Sequence, residues 1–368
     1  MDFEVSRQDL ATTRSVAVAP RALAEGEARI EVDVFGFSTN NITYAVFGDM
    51  LRYWEFFPAG APEEGDDTAW GRVPVWGFGS VVEARSSEVA VGERLFGYYP
   101  MGSELIITPG RAGDRTVTDM SPHRATLPSA YNSFQRCSGD PIYAEDREEL
   151  QMLLYPLFFT SFVIDDFLVD HDDFGSAQVI ISSASAKTSI GEAFLAHERS
   201  MRVVGLTSPG NVAFTESLGV YDQVLTYDQV DAVDQVPSAY IDVSGNADVL
   251  RAVHTRLGSL LGHSMIVGGT HWDHEAAPAD GDLPGPTPEF LFAPTQIAKR
   301  TQEWGPDGLS AKVAESWNRF TTWVPTWIEL TQVSGVEAVE AVYRLMLSGV
   351  VDPKVGFICS LETKDLER

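Results

Sequence analysis

The stretch Gln178–Asn211 constrains the fold more than any other part of the sequence, because it has the pattern of a strand, a turn of small residues, a helix and a second strand. Val179–Ile181 is a β-branched run suited to a strand buried on both faces, and Met201–Leu206 is a second such run. Ile190 and Phe194 give the segment between them a helical apolar face. The stretch therefore predicts a βαβ unit of a parallel sheet.

The turn before the helix has the spacing of a dinucleotide-binding fingerprint, in which backbone N–H groups and a helix N-terminus face a pyrophosphate. Ser183, Ala186 and Ser189 occupy the positions where that fingerprint has glycines. We therefore expect a phosphate-binding turn in which short side chains replace glycine. Lys187 and Thr188 do not indicate an NTP-hydrolysing P-loop, because the GxxxxGK frame is missing.

Strands and helices continue to alternate after Asn211, with strands predicted at Gln223–Thr226, within Ser238–Asn246, and before Gly268. This rhythm predicts a doubly wound parallel sheet, whose ligands bind at the carboxyl ends of the strands. The predicted cofactor-binding residues are Ser183, Ser185, Ala186, Lys187, Thr188, Ser189, Thr207, Ser208, Asn211, Ser244, Gly245, Gly268, Gly269 and Thr270.

The N-terminal part has a different pattern. Ala28–Phe35 alternates apolar and polar residues, and Gly71–Ala84 and Val91–Pro100 are further short strand patterns with glycine turns, which together predict a small β-rich domain. Helices are predicted at Asp146–Leu154 and Pro156–Asp170. The chain ends in an amphipathic helix and a strand that we expect to return to the N-terminal β domain.

Charge and apolar runs restrict the possible partners and location. The 368 residues carry a formal charge of −27, which argues against nucleic acid and anionic membranes as partners, although it is equally explained as a solubility or salt adaptation. We find neither an apolar run of the ~18 residues that span a bilayer nor a signal-peptide h-region, so we expect a cytoplasmic protein. The distant Cys137 and Cys359 predict no disulfide framework.

Several segments, taken in order, resemble the medium-chain dehydrogenase/reductase superfamily, specifically its zinc-free quinone/enone reductase-like side. They are ARIEVDVFGFSTNN, GFGSVVEA, VGERLFGYYP, VIISSASAKTSIGEAFLA, SLGVYDQVLTYD, YIDVSGN, MIVGG and AVYRLMLSGVVDPKVGF. The resemblance covers most of the chain and implies an α/β fold with a GroES-like β-rich catalytic domain, 1–150 with 305–368, and a Rossmann domain, 151–304. It also favours a homodimer.

The chain departs from the zinc alcohol dehydrogenases of that superfamily. Ser38 stands where they have a cysteine, and Trp76, Gly77 and Phe78 stand where they have a His-Glu pair. The four-cysteine lobe is also missing from the sequence. We therefore predict that the protein has no catalytic zinc, and that hydrogen bonding or positioning replaces the Lewis acid.

The end of the second Rossmann strand, GLTSPGN, suggests the cofactor. NAD enzymes usually place an acidic residue there to bind the ribose diol, and this sequence has none. Neutral donors suit the 2′-phosphate of NADP(H), and this segment offers Thr207, Ser208 and Asn211. The possible cationic partners of that phosphate are Lys187, Arg199 or Arg202. The alternative is that the Ser and Thr side chains only cap a turn.

The resemblance places the loop after the first conserved strand against the nicotinamide. Its polar residues are Ser38, Asn40, Asn41 and Tyr44, and an amide or phenol donor can stabilise an oxyanion without a metal. Asn41 and Tyr44 are the predicted catalytic residues, and Tyr44 could deliver a proton. Alternatively, the two asparagines cap the following turn and Tyr44 packs in the core.

A second predicted group is Tyr155, with Thr160 and Ser161, at the junction where superfamily members approach the nicotinamide. Thr160 and Ser161 could instead bond back to their own helix. The tryptophan-rich segment up to Trp327 could line an apolar pocket or pack helix on helix. His271 and His274 form a poor metal site, since no third ligand is placed beside them.

The leading hypothesis is a zinc-independent, NADPH-dependent reductase of an apolar ketone or α,β-unsaturated carbonyl compound, enone-like or quinone-like. One alternative is an NADP(H)-binding pseudoenzyme, and another is a lyase or isomerase that uses the same pocket without net redox change. Membership of a fold family does not choose between them, because chemistry resides in the site.

Overall fold

The computed structural model describes residues 1–19, 21–59, 69–267 and 283–363. The chain divides into two compact units, which we call unit 1 (Met1–Leu153 with Ile328–Arg368) and unit 2 (Leu154–Trp327). The strands of the described residues are β1 Asp2–Ser6, β2 Thr13–Val16, β3 Ala28–Phe37, β4 Trp70–Gly71, β5 Pro74–Ala84, β6 Arg94–Pro100, β7 Glu104–Ile107, β8 Pro109–Gly110, β9 Thr116–Asp119, β10 Ser133–Arg136, β11 Gln178–Ile181, β12 Arg202–Thr207, β13 Gln223–Thr226, β14 Ser238–Asp242, β15 Leu261–Ile266, β16 Glu289–Phe290, β17 Glu329–Ser334 and β18 Val355–Ser360. The α-helices are α1 Thr39–Val46, α2 Glu148–Asp170, α3 Lys187–Glu198, α4 Val212–Ser217, α5 Ala247–Leu257, α6 Ala293–Trp323 and α7 Val336–Leu347.

Unit 1 is β-rich. Its described strands form a small sheet in the order β2-β1-β4 and a larger one in the order β17-β18-β3-β5-β6-β10-β9-β8, with β7 paired to β3 as well. The alternating residues at the start of β3 place Ala28, Ile30 and Val32 in the core of this unit. The closing strand β18 pairs antiparallel with β3, where Ile358 lies opposite Gly36. The prediction that the C-terminal strand returns to the N-terminal β domain is therefore confirmed.

Gly36 shows why this central strand needs a residue without a side chain. A Cβ at Gly36 would lie 2.9 Å from backbone atoms of Met152 and Leu153 in the first part of α2. The backbone of α2 therefore packs directly on β3, which leads into the predicted catalytic loop.

Unit 2 contains a parallel sheet in the order β13-β12-β11-β14-β15-β16. Counted from β11, this order is 3-2-1-4-5-6, the Rossmann arrangement. Ile181 lies beside Gly205 on one side and Ile241 on the other, so β11 is buried at the centre of the sheet. Its four residues are fully buried, and three of them, Val179–Ile181, form the apolar run that predicts this burial.

Residues 305–327 belong to unit 2, whereas the sequence analysis assigned them to the catalytic domain. The helix α6 bends at Gly305, where φ is +72°, and continues to Trp323. Beyond the bend, Phe320 stacks on Phe158 of α2 with ring centroids 4.6 Å apart, and Trp323 stacks on Phe194 of α3 at 5.0 Å. The aromatic residues of α6 thus pack helix on helix, and this packing moves the boundary to Ile328.

The helix α2 is continuous through Pro156, where the sequence analysis predicted two helices. By length and composition alone, this helix could cross a membrane. Ile164 and Leu168 in its second half are fully buried among the side chains of unit 2. In the structure α2 is therefore a core helix, whose apolar residues match its buried environment.

Candidate functional site

The turn after β11 has an unusual backbone at the position of the first expected glycine. Ser183 adopts a left-handed conformation with φ of +47°, which non-glycine residues rarely adopt. The turn is held by backbone bonds from Ala184 N to Leu206 O (3.0 Å) and from Ala186 N to Ser183 O (2.7 Å). The hydroxyl of Tyr221 also donates to Ala184 O at 2.7 Å. The conformation is fixed by its neighbours although no glycine is present.

The helix α3 begins at Lys187, and no side chain caps its N-terminus. The first N–H groups of a helix lack intrahelical partners and carry the positive end of its dipole, so they suit an anion. Ser185 and Thr188 lie beside this end and are partly exposed. Ser189 is turned inward, because it is buried and donates to Ser182 O at 3.0 Å.

Asp242, at the end of β14, organises the turn that follows this strand. This residue was not among the predicted site residues. The buried Oδ1 atom of Asp242 accepts hydrogen bonds from the hydroxyls of Ser182 and Ser244, both at 2.8 Å, and from Gly245 N at 3.1 Å. Ser182 Oγ in turn accepts from Val243 N at 2.9 Å. The predicted residues Ser244 and Gly245 are thus placed by this carboxylate. An acidic residue directly after an apolar strand, as in YIDVSGN, was the available signal.

The ends of the first two strands of unit 2 are connected by side chains. Asn211 Nδ2 donates to Ser185 Oγ at 2.9 Å. Ser208 lies at the start of the same turn and is partly exposed, whereas Thr207 is buried in the sheet. Tyr227, which sequence analysis also missed, has its hydroxyl 3.5 Å from Ser183 Oγ. Gly268, Gly269 and Thr270, like His271 and His274, lie outside the described residues.

Two of the three predicted cations lie at the wrong end of the sheet. Arg199 follows α3 and pairs with Asp165 at 2.7 Å and Asp173 at 2.8 Å. Arg202 begins β12 and pairs with Asp234 at 2.8 Å. A strand of this length puts Arg202 roughly 16 Å from the carboxyl edge. Lys187, at the start of α3, is the one of the three that lies at the predicted phosphate site.

In unit 1, Asn41 caps the start of α1. This is the role that the sequence offered as the alternative to a catalytic one. Its side-chain oxygen accepts from Ser38 N at 2.8 Å, and its Nδ2 donates to Pro74 O at 3.0 Å. The residue is buried. Asn41 therefore holds the helix start and ties it to β5, a contact with a residue 33 positions away that the local sequence does not reveal.

Tyr44 is held by two donors. Asn40 Nδ2 donates to its hydroxyl oxygen at 2.8 Å, and Trp76 Nε1 donates to the same oxygen at 3.2 Å. A phenol that accepts two hydrogen bonds still has its own O–H to donate. Burial raises the pKa of Tyr44 well above its ordinary value of 10, with a further rise from Tyr131, so the hydroxyl is protonated at neutral pH.

An aromatic cluster surrounds Tyr44, and sequence analysis missed most of it. The ring of Tyr53 lies 4.7 Å from that of Tyr44, and the hydroxyls of Tyr53 and Tyr131 are 3.4 Å apart. Tyr53 and Tyr131 are partly exposed, whereas Tyr98 is fully buried beneath them. Tyr53, Tyr98 and Tyr131 lie more than 30 positions apart in sequence and come together only in the tertiary structure, so no local pattern predicts the cluster.

The predicted group on α2 has mixed roles. Ser161 Oγ is 2.8 Å from Thr188 O at the start of α3 and 3.1 Å from Leu157 O of its own helix, so it also makes the bond back to its helix that the alternative expected. Thr160 Oγ1 bonds back to Pro156 O at 3.2 Å, as the alternative reading expected. Tyr155 is partly exposed, and its ring contacts Trp317 edge-on at 5.4 Å. The two hydroxyl residues therefore support the helices.

Trp76, Gly77 and Phe78, which the resemblance sets against a His-Glu pair, have structural roles. Trp76 supports Tyr44, and Phe78 is buried in the core of unit 1. A Cβ at Gly77 would lie 2.4 Å from Val34 O, so only glycine fits there. Within the described ranges, His, Cys, Asp and Glu side chains form no group of three or more that could hold a metal ion.

Comparison with known proteins gives one family and a set of similar folds. The model of a family described as "Protein of unknown function (DUF2855)" matches residues 35–352. The search of curated proteins gave no match. Similar solved structures include CurA from Vibrio vulnificus in complex with NADPH, with 10% identity, a TM-score of 0.61 and 99% of each chain covered.

Two further structures have the same arrangement. A mutant form of enoyl thioester reductase from Candida tropicalis has 10% identity and a TM-score of 0.56, with 98% of this chain and 100% of that chain covered. The yhdH oxidoreductase from Salmonella enterica in complex with NADP has 14% identity and a TM-score of 0.51, with 98% and 99% covered. These similarities confirm the predicted fold, a GroES-like β-rich domain with a Rossmann domain.

Proposed function

This chain belongs to the family described as "Protein of unknown function (DUF2855)", and we propose that it is a zinc-independent, NADPH-dependent reductase of an apolar ketone or an α,β-unsaturated carbonyl compound. The observation that carries the proposal is the start of α3, a helix N-terminus without a side-chain cap at the carboxyl edge of a Rossmann-ordered sheet. Solved structures with this fold include CurA in complex with NADPH and the yhdH oxidoreductase in complex with NADP.

The residues at this edge fit a dinucleotide. Two linked phosphates need hydrogen-bond donors and no exposed carboxylate nearby. The donors at this edge are the partly exposed side chains of Ser185 and Thr188 and the backbone N–H groups of the first turn of α3. Asp242 is buried, with Oδ1 bonded to Ser182, Ser244 and Gly245, so it supports the turn. We assign the 2′-phosphate to Ser208, Asn211 and Lys187. When bound, NADPH would supply the hydride.

Tyr44 is the residue we assign to the substrate oxygen. Its hydroxyl accepts from Asn40 and Trp76, which leaves its O–H to stabilise and then protonate an oxygen on which negative charge develops. Asn41 positions α1 and so acts through Tyr44 and not directly on the substrate. Tyr155, the third predicted residue, is assigned to substrate contact through its partly exposed ring.

The test is a titration of the purified full chain with NADPH and NADH, followed by fluorescence, and then an assay against quinones, enones, aldehydes and ketones. We expect saturable NADPH binding that is tighter than NADH binding, and NADPH oxidation with at least one carbonyl class. Absence of any change in NADPH fluorescence would refute the cofactor assignment, and with it the reductase.

A second candidate is an NADP(H)-binding protein without hydride transfer, and the burial of Tyr44 favours it, since only 6% of this residue is exposed. This candidate predicts NADPH binding with no oxidation across the whole panel. A lyase or isomerase using the same pocket predicts product formation with no consumption of NADPH. The assay above separates all three.

A further inference from the structure

A cavity of about 200 Å³ lies within unit 2, apart from the carboxyl-edge residues assigned to the cofactor. It is formed by β15, the edge strand β16, the end of α2 and the start of α6. Its walls are mainly aromatic and aliphatic: Phe167, Met265, Phe290, Leu291 and Phe292. Phe290 and Phe292 are 67% and 63% exposed, so large apolar side chains flank an opening to solvent.

His263 is one of four polar residues that line this cavity, with Glu289, Thr295 and Gln296. Only 6% of the residue is exposed, and the contacts of its ring among the described residues are aromatic, with Phe167 at 5.6 Å and Phe174 at 4.1 Å between ring centroids. The cavity borders this side chain and gives a ligand access to it. Burial lowers the pKa of His263, so the ring is neutral at pH 7 and has one accepting nitrogen.

The orientation of His263 is fixed by a strained turn. Phe174 stacks on the imidazole with ring centroids 4.1 Å apart and an interplanar angle of 6°. Asp172, Asp173 and Phe174 are three consecutive residues with φ near +50°, a conformation that costs free energy at each non-glycine residue. Asp173 is held by its ion pair with Arg199. This turn therefore holds the ring of Phe174 against the ring of His263, although its backbone conformation costs free energy.

We propose that this cavity binds a neutral single-ring aromatic molecule carrying a hydroxyl group, that is, a phenol, whose O–H is donated to His263. An apolar cavity of ~150 Å³ accepts benzene, so this one has room for one substituted ring. Glu289 lines the same cavity and is exposed, and the chain carries a net charge of −27. Carboxylate-bearing rings are therefore disfavoured. The proposal is independent of the reductase function.

The experiment compares phenol, toluene and benzoate binding to the full-length protein by calorimetry and ligand-observed NMR, at ligand concentrations on the order of millimolar. We expect phenol to bind more tightly than toluene, and benzoate not to bind. His263→Leu should weaken phenol binding roughly fivefold to tenfold and leave toluene binding unchanged. The matched control is His197→Leu at an exposed position of α3, which should change neither.

A second variant guards against a folding defect in His263→Leu. Thr295 is exposed at the rim, so Thr295→Trp should block phenol and toluene alike without disturbing the core. Phenol binding that survives both variants, or benzoate binding equal to phenol binding, overturns the proposal. A wild-type protein that binds no phenol also overturns the proposal. This includes the case in which Thr295→Trp changes a dimer into a monomer, because a second copy of the chain would then cover the cavity in the wild-type protein.

Discussion

Trp76 donates its indole N–H to the hydroxyl oxygen of Tyr44 at 3.2 Å. By the resemblance, Trp76 is one of three residues, with Gly77 and Phe78, that would stand where zinc alcohol dehydrogenases have a His-Glu pair. In this chain the position instead supports a phenol, which also accepts from Asn40. Two side-chain donors, Trp76 and Asn40, therefore hold the oxygen of Tyr44.

Tyr44→Phe should lower kcat by about 100-fold, because general acid catalysis by a positioned side chain contributes at least that much. NADPH binding, assigned to unit 2, should not change. The measurement is steady-state kinetics on the best substrate of the carbonyl panel. The control is Tyr143→Phe, which removes a hydroxyl bonded to Glu148 at 3.0 Å elsewhere in unit 1. Equal rates for the two variants would exclude Tyr44 from catalysis.

Trp76→Phe should lower kcat about fivefold with little change in KM, since it removes one of the two donors to Tyr44, worth about 1 kcal/mol. In the Tyr44→Phe background the same substitution should have no further effect on kcat, because the hydroxyl that it positions is absent. Trp70→Phe is the control for loss of an indole in unit 1. An additive effect in the double variant would mean that Trp76 acts through packing alone.

Lys187→Ala should weaken NADPH binding about tenfold and NADH binding much less, because the lysine at the start of α3 is assigned to the 2′-phosphate. Arg202→Ala is a matched control that removes another cation, one paired with Asp234 at the opposite end of β12. Fluorescence titrations at two salt concentrations give both affinities. If the arginine variant loses as much NADPH affinity as the lysine variant, the 2′-phosphate assignment is wrong.

Asp242→Asn should destabilise the protein by about 2 kcal/mol, since a single buried oxygen of this carboxylate accepts from Ser182, Ser244 and Gly245. It should also weaken NADPH binding, because these residues shape the cofactor edge. Denaturant unfolding and cofactor titration measure the two effects. Asp248→Asn, in the exposed first turn of α5, should change stability by less than about 0.5 kcal/mol.

Glu192 in α3 predicts a pH dependence of stability. It is fully buried, and neither carboxylate oxygen has a hydrogen-bond partner among the described residues. Burial, and then the charge of Asp165, raise the pKa of Glu192 well above its ordinary value of 4.5. The folded state therefore keeps the proton that the unfolded state loses, so this residue costs stability as pH rises above 4.5 towards the pKa in the folded state.

Glu192→Gln should consequently be more stable than wild type at pH 8 and close to it at pH 4.5. The gain should be about 1.4 kcal/mol for each pH unit between 4.5 and the pKa in the folded state. Chemical denaturation of both proteins across this range measures the difference. Glu198→Gln is the control, since Glu198 pairs with Arg319 at 3.0 Å and its loss should not stabilise the protein at any pH. A pH-independent difference for the Glu192 variant would contradict the interpretation.

The strands of unit 2 could be predicted from the sequence because each depends on a short local run. The predicted strand Gln223–Thr226 has the same bounds in the structure, and Val179–Ile181 lies within β11. Val179–Ile181 is apolar at every position and buried on both faces, so its pattern is strong although it is short. The boundary near residue 305 was predicted less well, since the partner of α6 is decided by packing against Phe158 and Phe194.

Roles of polar side chains could be predicted only as alternatives. Asn41 has the same residue type and position whether it caps α1 or contacts a substrate, and its bond to Pro74 decides between them. Arg199 had the charge for a phosphate, but its ion pairs with Asp165 and Asp173 hold it at the other end of the sheet. Charge and hydrogen-bonding capacity belong to the residue, whereas availability depends on the neighbours.

The sequence by itself determined the order of strands and helices, the two types of domain and the turn at which a phosphate site is expected, because periodicity, chain direction and helix starts are local properties. Only the tertiary structure decided which polar groups are already used and which remain available. Ser182 meets Asp242 60 positions away, and Asn41 meets Pro74 33 positions away. Hydrogen bonds between such distant residues form only after the strands pair, so no local pattern encodes them.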